Sequence, residues 1–251
     1  SDLEESQKLV RLRMAMVLRD ELSDEDQALQ VIEGLALDAD PEAVAFVSGW
    51  ATFDSARAPR TVADFTRAVT STRTIRQKAA SLLSRSASGD AATRGAMLEI
   101  ALEAPLHAEE RLEVLRRLTE NYRSRERSSD TVTALIAEAS LVTDPKEEAS
   151  VVEALKLTAG TDERLLTVSV DGLLEAGDRS FDRPKALRLF GQASLLARDV
   201  LHDESRALSA DLAALARADG DPQAALAAAR KLDRDLSQAG RHQDRLVVLE
   251  K

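Results

Sequence analysis

The chain has 251 residues, 44% hydrophobic but only 3% aromatic, with 10 Gly, 6 Pro, no Cys and a formal charge of −10. Its apolar content is therefore mostly Ala, Leu and Val, which with so few breakers favours helix over a many-stranded β fold. A net anion is repelled by phosphate backbones, no stretch approaches the roughly 20 apolar residues of a membrane span, and the absence of Cys excludes disulfide and thiolate chemistry. Nucleic-acid binding and membrane insertion are not expected. The acidic start Ser1-Asp2-Leu3-Glu4-Glu5 lacks the basic segment of a secretory leader, and a cytoplasmic location is slightly favoured.

Taken in chain order, apolar spacing predicts helices at 3–20, 24–38, 41–54, 60–86, 90–104, 107–126, 129–142, 145–159, 161–177, 183–200, 203–218, 221–238 and 241–251. Leu9, Leu12 and Met16 mark the stripe in the first, and Leu112, Leu115 and Leu118 mark it in the sixth. The third carries Phe46, Trp50 and Phe53 at i, i+4 and i+7, one helical face. These three aromatics fill a core between the first helices or, alternatively, form an apolar patch for a partner.

The breaks between helices repeat. Leu135-Ile136-Ala137-Glu138-Ala139 leads into Asp144-Pro145, Leu173-Leu174-Glu175-Ala176-Gly177 into Arg183-Pro184, and Leu212-Ala213-Ala214-Leu215-Ala216 into Asp221-Pro222. Pro105, Pro145, Pro184 and Pro222 are spaced by 40, 39 and 38 residues. Proline suits a first helical turn, where its missing N–H costs nothing. A recurring "helix end, turn, Pro, new helix" describes an array of helix pairs, each burying its apolar face against the next. The fold class expected is all-α, an α-solenoid of antiparallel helix pairs with about 12 to 13 helices in a single 1–251 domain. Helices over 1–104 would be irregular, and 105–251 would repeat at about 38 residues.

Ala186-x-x-x-Phe190 followed by Ala193 resembles the second helix of a tetratricopeptide-like repeat. Ala28-x-x-x-Ile32-x-x-Leu35 running into Leu37-Asp38-Ala39-Asp40-Pro41, and Gly220 with Ala225, are similar partial matches. The resemblance covers roughly 20–45 and 130–240. Its period is nearer 38 than 34, and Trp50 is followed by Ala51-Thr52-Phe53 rather than the family's Leu-Gly-Tyr pattern. The resemblance implies a right-handed superhelix that binds other proteins. A HEAT-type repeat remains an alternative at this period.

No constellation carries catalytic chemistry, so no enzyme, cofactor or metal is expected. His107, His202 and His242 lie far apart near predicted helix starts and read as surface residues. Asp178, Ser180 and Asp182 have the first spacings of a calcium loop, but Arg183 stands where Gly is needed and Leu189 where Glu is needed. An inter-helix turn, with Asp182 capping the next helix, is the expected reading.

Charge placement points to a binding face. From Asp20 to Ala56 there are ten acidic residues and no Lys or Arg. From Arg57 to Gly89, Arg57, Arg60, Arg67, Arg73, Arg76, Lys78 and Arg85 face one acid, Asp64. Arg116, Arg117, Arg123, Arg125 and Arg127 follow. If stacking brings both clusters to one face, they would form a groove for an acidic peptide, phosphate or carboxylate; otherwise they neutralise the neighbouring acidic helices. The expected function is a non-enzymatic protein–protein interaction scaffold, a segment of a larger bacterial protein, with self-association through the repeat ends also open. The alternative is a sensory or regulatory domain that binds an anionic peptide or small ligand and controls an attached effector.

Overall fold

A computed structural model describes residues 2–22, 24–33, 47, 77–80, 91–238 and 240. The protein is all-α, and among the described residues there is no strand. Its described helices are α1 (Asp2–Asp20), α2 (Glu25–Glu33), α3 (Ala91–Glu103), α4 (Ala108–Ser124), α5 (Ser128–Leu141), α6 (Pro145–Ala159), α7 (Glu163–Arg179), α8 (Arg183–Asp199), α9 (Glu204–Arg217) and α10 (Pro222–Gln238). All begin within two residues of their sequence-based positions. The helices expected at 41–54, 60–86 and 241–251 lie outside the described residues, apart from helical Val47 and 77–80. The chain divides into two compact units, Ser1–Glu126 and Arg127–Lys251.

The first unit contains two described hairpins. In one, α1 packs Leu12, Ala15 and Leu18 towards α2, whose Ala28, Leu29 and Ile32 are buried at the matching helical spacing. Asp24 precedes α2 and accepts from the Gln27 amide at 3.1 Å, an N-terminal cap that fixes where the helix starts. In the other, Met97, Leu98 and Ala101 of α3 pack towards Val114, Leu115, Leu118 and Tyr122 of α4. The Tyr122 hydroxyl donates to Glu99 at 2.7 Å, giving the ring's polar end a partner. Pro105 does not open a helix. It lies in the link between α3 and α4, and His107 takes the capping position, its amide donating to Glu110 at 3.2 Å.

The second unit is an array. Of its described helices, α6, α7, α9 and α10 begin by one device. Asp144 accepts from the Lys146 and Glu147 amides at 2.7 and 3.1 Å, Asp162 from Arg164 and Leu165 at 2.9 and 3.1 Å, Asp203 from Arg206 at 3.0 Å, and Asp221 from Gln223 and Ala224 at 3.0 and 3.1 Å. Each satisfies amides that the first turn leaves without partners. Pro145, Pro184 and Pro222 all fall in a first turn, as their spacing indicated. Asp182 departs from expectation: it occupies the capping position of α8, but its side chain accepts no capping hydrogen bond. Its carbonyl accepts from the Ser180 hydroxyl at 3.1 Å instead.

Burial follows the i, i+3, i+4 rhythm through Val132, Leu135 and Ala139, then Val151, Val152 and Leu155, then Leu166, Val170 and Leu173, then Ala186, Leu189, Phe190 and Ala193. Two close approaches set the spacing. A Cβ on Gly177 would lie 2.6 Å from Phe190 Cε1, and one on Gly172 would lie 2.6 Å from Ile136 Cδ1. Glycine at these two points lets α7 approach α8 on one side and α5 on the other. Phe190, the aromatic of the Ala186-x-x-x-Phe190 motif, is fully buried in that seam.

Candidate functional site

The two Arg clusters are placed as follows. Arg57, Arg60, Arg67, Arg73, Arg76 and Arg85 lie outside the described residues, as do Phe46, Trp50 and Phe53. Lys78 is described, exposed, and ion-paired with Asp26 of α2. Arg116 and Arg117 are half-buried on α4 and engaged by other groups. Arg123 and Arg125 are exposed. Arg127 belongs to the second unit, where it donates to Asp130 at 2.7 Å. The second cluster therefore reduces to Arg123 and Arg125 as its exposed members. His107 and His202 are exposed, as expected, and His242 lies outside the described residues. Among the described residues no His, Cys, Asp or Glu cluster could hold a metal ion, and no helix is long and apolar enough to cross a membrane.

The chemistry that the structure does assemble is internal. On α6, Glu148 is 2% exposed and accepts both Arg188 Nε at 3.1 Å and Nη2 at 2.9 Å from α8. This fork-on-carboxylate geometry is the strong form of an ion pair. One turn earlier on α8, Lys185 is 5% exposed and donates to the Ser140 and Val142 carbonyls at 2.5 and 2.6 Å. It thereby satisfies carbonyls at the end of α5 that the helix leaves free. Burial pushes the Lys185 pKa below the ordinary lysine value, against the opposing charge of Glu148, while nearby Arg188 lowers it further. The hydrogen bond to Glu148 holds Arg188 above the ordinary arginine value.

A second group joins α8, α9 and α10. Asp211 is 4% exposed and accepts Arg198 Nη2 at 3.1 Å and Lys231 Nζ at 2.7 Å. Lys231 also donates to the Ser194 hydroxyl at 3.2 Å. Arg198 Nη1 lies 3.1 Å from Asp235 Oδ2. Burial works against the Arg198 charge, but the Asp211 hydrogen bond and the charges of Asp235, Asp211 and Glu204 outweigh it and raise its pKa.

Polar links between helices two or three apart in the array span similar lengths of chain. Lys185 to Ser140 spans 45 residues, Lys185 to Val142 43, Arg188 to Glu148 40, Arg206 to Asp171 35, Arg217 to Ser180 37 and Lys231 to Ser194 37. They join α8 to α5 and α6, α9 to α7, and α10 to α8. α8, α9 and α10 thus each pack on their predecessor and tie by side chains to an element about one helix pair back, as stacked helix pairs do. Sequence reading missed these cationic ties because Lys185, Arg188, Arg206 and Arg217 look like surface charges. The available signal was their recurrence at one repeat length from a carboxylate or a helix end.

Together the fold and its internal ties define an all-α protein with a helix-pair array in its second unit. No protein-family model matches the chain, and no curated protein matches it. A solved structure described as "Computational Design of Self-Assembling Cyclic Protein Homooligomers" aligns over 98% of this chain and 89% of that one, at 16% identity and a TM-score of 0.16. At that score the likeness carries no weight for fold or assembly.

Proposed function

We propose that the chain is a non-enzymatic protein–protein interaction scaffold built of tetratricopeptide-like helix pairs. The observation that supports this most is the ladder of polar ties at 35 to 45 residues, which commits buried Glu148 and Lys185 to holding helices in register. Side chains left on the outer faces of such an array read a partner, and the array keeps them at fixed spacing. The partner is another protein or peptide, acidic where it meets Arg123 and Arg125 and the basic block at 57–85.

The test is affinity capture from the source cell's lysate with the native chain and an Arg73→Glu/Arg76→Glu/Arg123→Glu variant, both equally helical by circular dichroism. A partner that the native chain holds and the variant loses supports an acidic-partner scaffold. Partners held equally by both overturn the basic face and direct attention to Phe46, Trp50 and Phe53. Turnover of a substrate that tracks the pure chain would overturn the scaffold itself.

A further inference from the structure

Among the described residues, α10 packs on the array through a small apolar cluster. Leu232 and Leu236 are its buried leucines, packed with half-buried Leu208 and Leu215 of α9. Ala229 packs there too, and polar side chains enter the same seam. Asp235, one turn beyond Lys231, turns into the seam at 16% side-chain exposure, and its Oδ2 is buried without a hydrogen-bond partner. Arg198 Nη1 is 3.1 Å away, but its N–H does not point along that line as a hydrogen bond requires. An ionised carboxylate oxygen in this position loses water without gaining a hydrogen bond, and the charges of Arg198 and Lys231 offset only part of that cost.

The charged groups facing Asp235 among the described residues are Arg198 from α8, Asp211 from α9 and Lys231 from its own helix, with Glu204 reached through Arg198. The two cations are already engaged by Asp211. What Asp235 lacks is a donor for itself or a proton to donate. A neutral Asp235 has that proton, and the Asp211 carboxylate, which meets Nη2 of the same Arg198 guanidinium whose Nη1 faces Asp235, is the acceptor. We propose that α10 carries a proton-operated latch, in which Asp235 takes up a proton in mild acid and donates it to Asp211, fastening α10 onto α8 and α9.

Burial, then the charge of Asp211, moves the Asp235 pKa above the ordinary aspartate value, with Arg198 and Lys231 opposing. The sign follows. Between the docked value and the ordinary aspartate value, the docked state binds more protons than the released one. Docking therefore strengthens as pH falls through that window and gains nothing further below it, by at most about tenfold in its equilibrium constant per pH unit.

Two measurements on the full chain test this. Hydrogen exchange at α10 amides, each rate normalised to its unstructured value, is compared with α8 amides from pH 7.5 to 4.5. Protection at α10 is expected to rise relative to α8 in the native chain and to stay level in Asp235→Asn, whose amide donates at every pH. A native α10 whose protection is flat or falls overturns the latch, as does an Asp235→Asn chain that keeps the native slope. Carboxyl carbon NMR of the native chain needs no variant. Titration of Asp235 above the ordinary aspartate range supports the proposal, and titration at or below it overturns it.

Discussion

The Glu148–Arg188 pair makes an asymmetric prediction, because its two members are buried to different extents. Glu148 is 2% exposed and Arg188 31%. Breaking a buried pair typically costs about 3–5 kcal/mol, most of it from the charge left behind without water or partner. Arg188→Met keeps the stem of the side chain but strands a carboxylate at full burial near Lys185, which is already engaged by backbone carbonyls, so a loss of about 3–4 kcal/mol is expected. Glu148→Gln strands a guanidinium that can turn to solvent, and the Gln oxygen still accepts one hydrogen bond, so about 2 kcal/mol is expected. The double variant removes both charges and should lose less than the sum of the two single losses, by about 2 kcal/mol. Urea denaturation at pH 7, followed by circular dichroism, reads all three. A Glu148→Gln loss larger than that of Arg188→Met, or strict additivity, would refute the assignment of the cost to the stranded carboxylate.

Other expectations follow from the same packing. Gly177→Ala places a methyl 2.6 Å from the Phe190 ring and should cost about 1–3 kcal/mol, with Phe190→Leu in the same chain returning part of it, as read by thermal denaturation. Phe190→Ala alone should cost about 3–5 kcal/mol. Gly95→Ala places its methyl 2.7 Å from Asn121 Oδ1 and should destabilise the α3–α4 hairpin by a comparable amount, visible as faster hydrogen exchange at α3 amides. Asp144→Ala removes the cap of α6 and should cost about 1 kcal/mol. For Lys185 the folded pKa is lowered, so the folded chain binds fewer protons between that value and the ordinary lysine value. Stability contributed by Lys185 therefore rises with pH across that alkaline window, and the gap between the native chain and Lys185→Met should widen there; a gap that narrows would contradict the burial argument.

How legible this was depended on whether a feature is local in sequence. The starts of α6 and α10 were readable because Asp144 and Asp221, with Pro145 and Pro222, act within one turn of themselves. The helical stripes were readable because Leu and Ala favour helix and recur at the period of a buried face. Pro105 misled by position: its spacing fitted the series, yet His107 starts α4, and only the chain's path between α3 and α4 distinguishes a proline in a link from one in a first turn. Asp182 misled in a related way, since its residue type suits a cap but the Ser180–Asp182 turn does not aim its side chain at the helix.

The candidate site was far less legible, because charge along a sequence does not specify burial. The Arg-rich stretch at 116–127 reads as one basic run, yet α4 half-buries Arg116 and Arg117, and Arg127 is paired with Asp130 in the second unit. Conversely Glu148, Lys185 and Asp211 sit among ordinary surface-like residues but are nearly inaccessible to water. Each is tolerable only because a partner arrives from elsewhere in the array: Arg188 for Glu148, the α5 carbonyls for Lys185, Arg198 and Lys231 for Asp211. An apolar seam alone would let these Ala- and Leu-rich helices slide by a turn at little cost, since small side chains offer similar packing in each register. A slide by one turn, however, would separate every buried charge from its partner at a few kcal/mol each. The buried ionic ties therefore fix the register of a repeat array whose apolar faces are too uniform to fix it themselves.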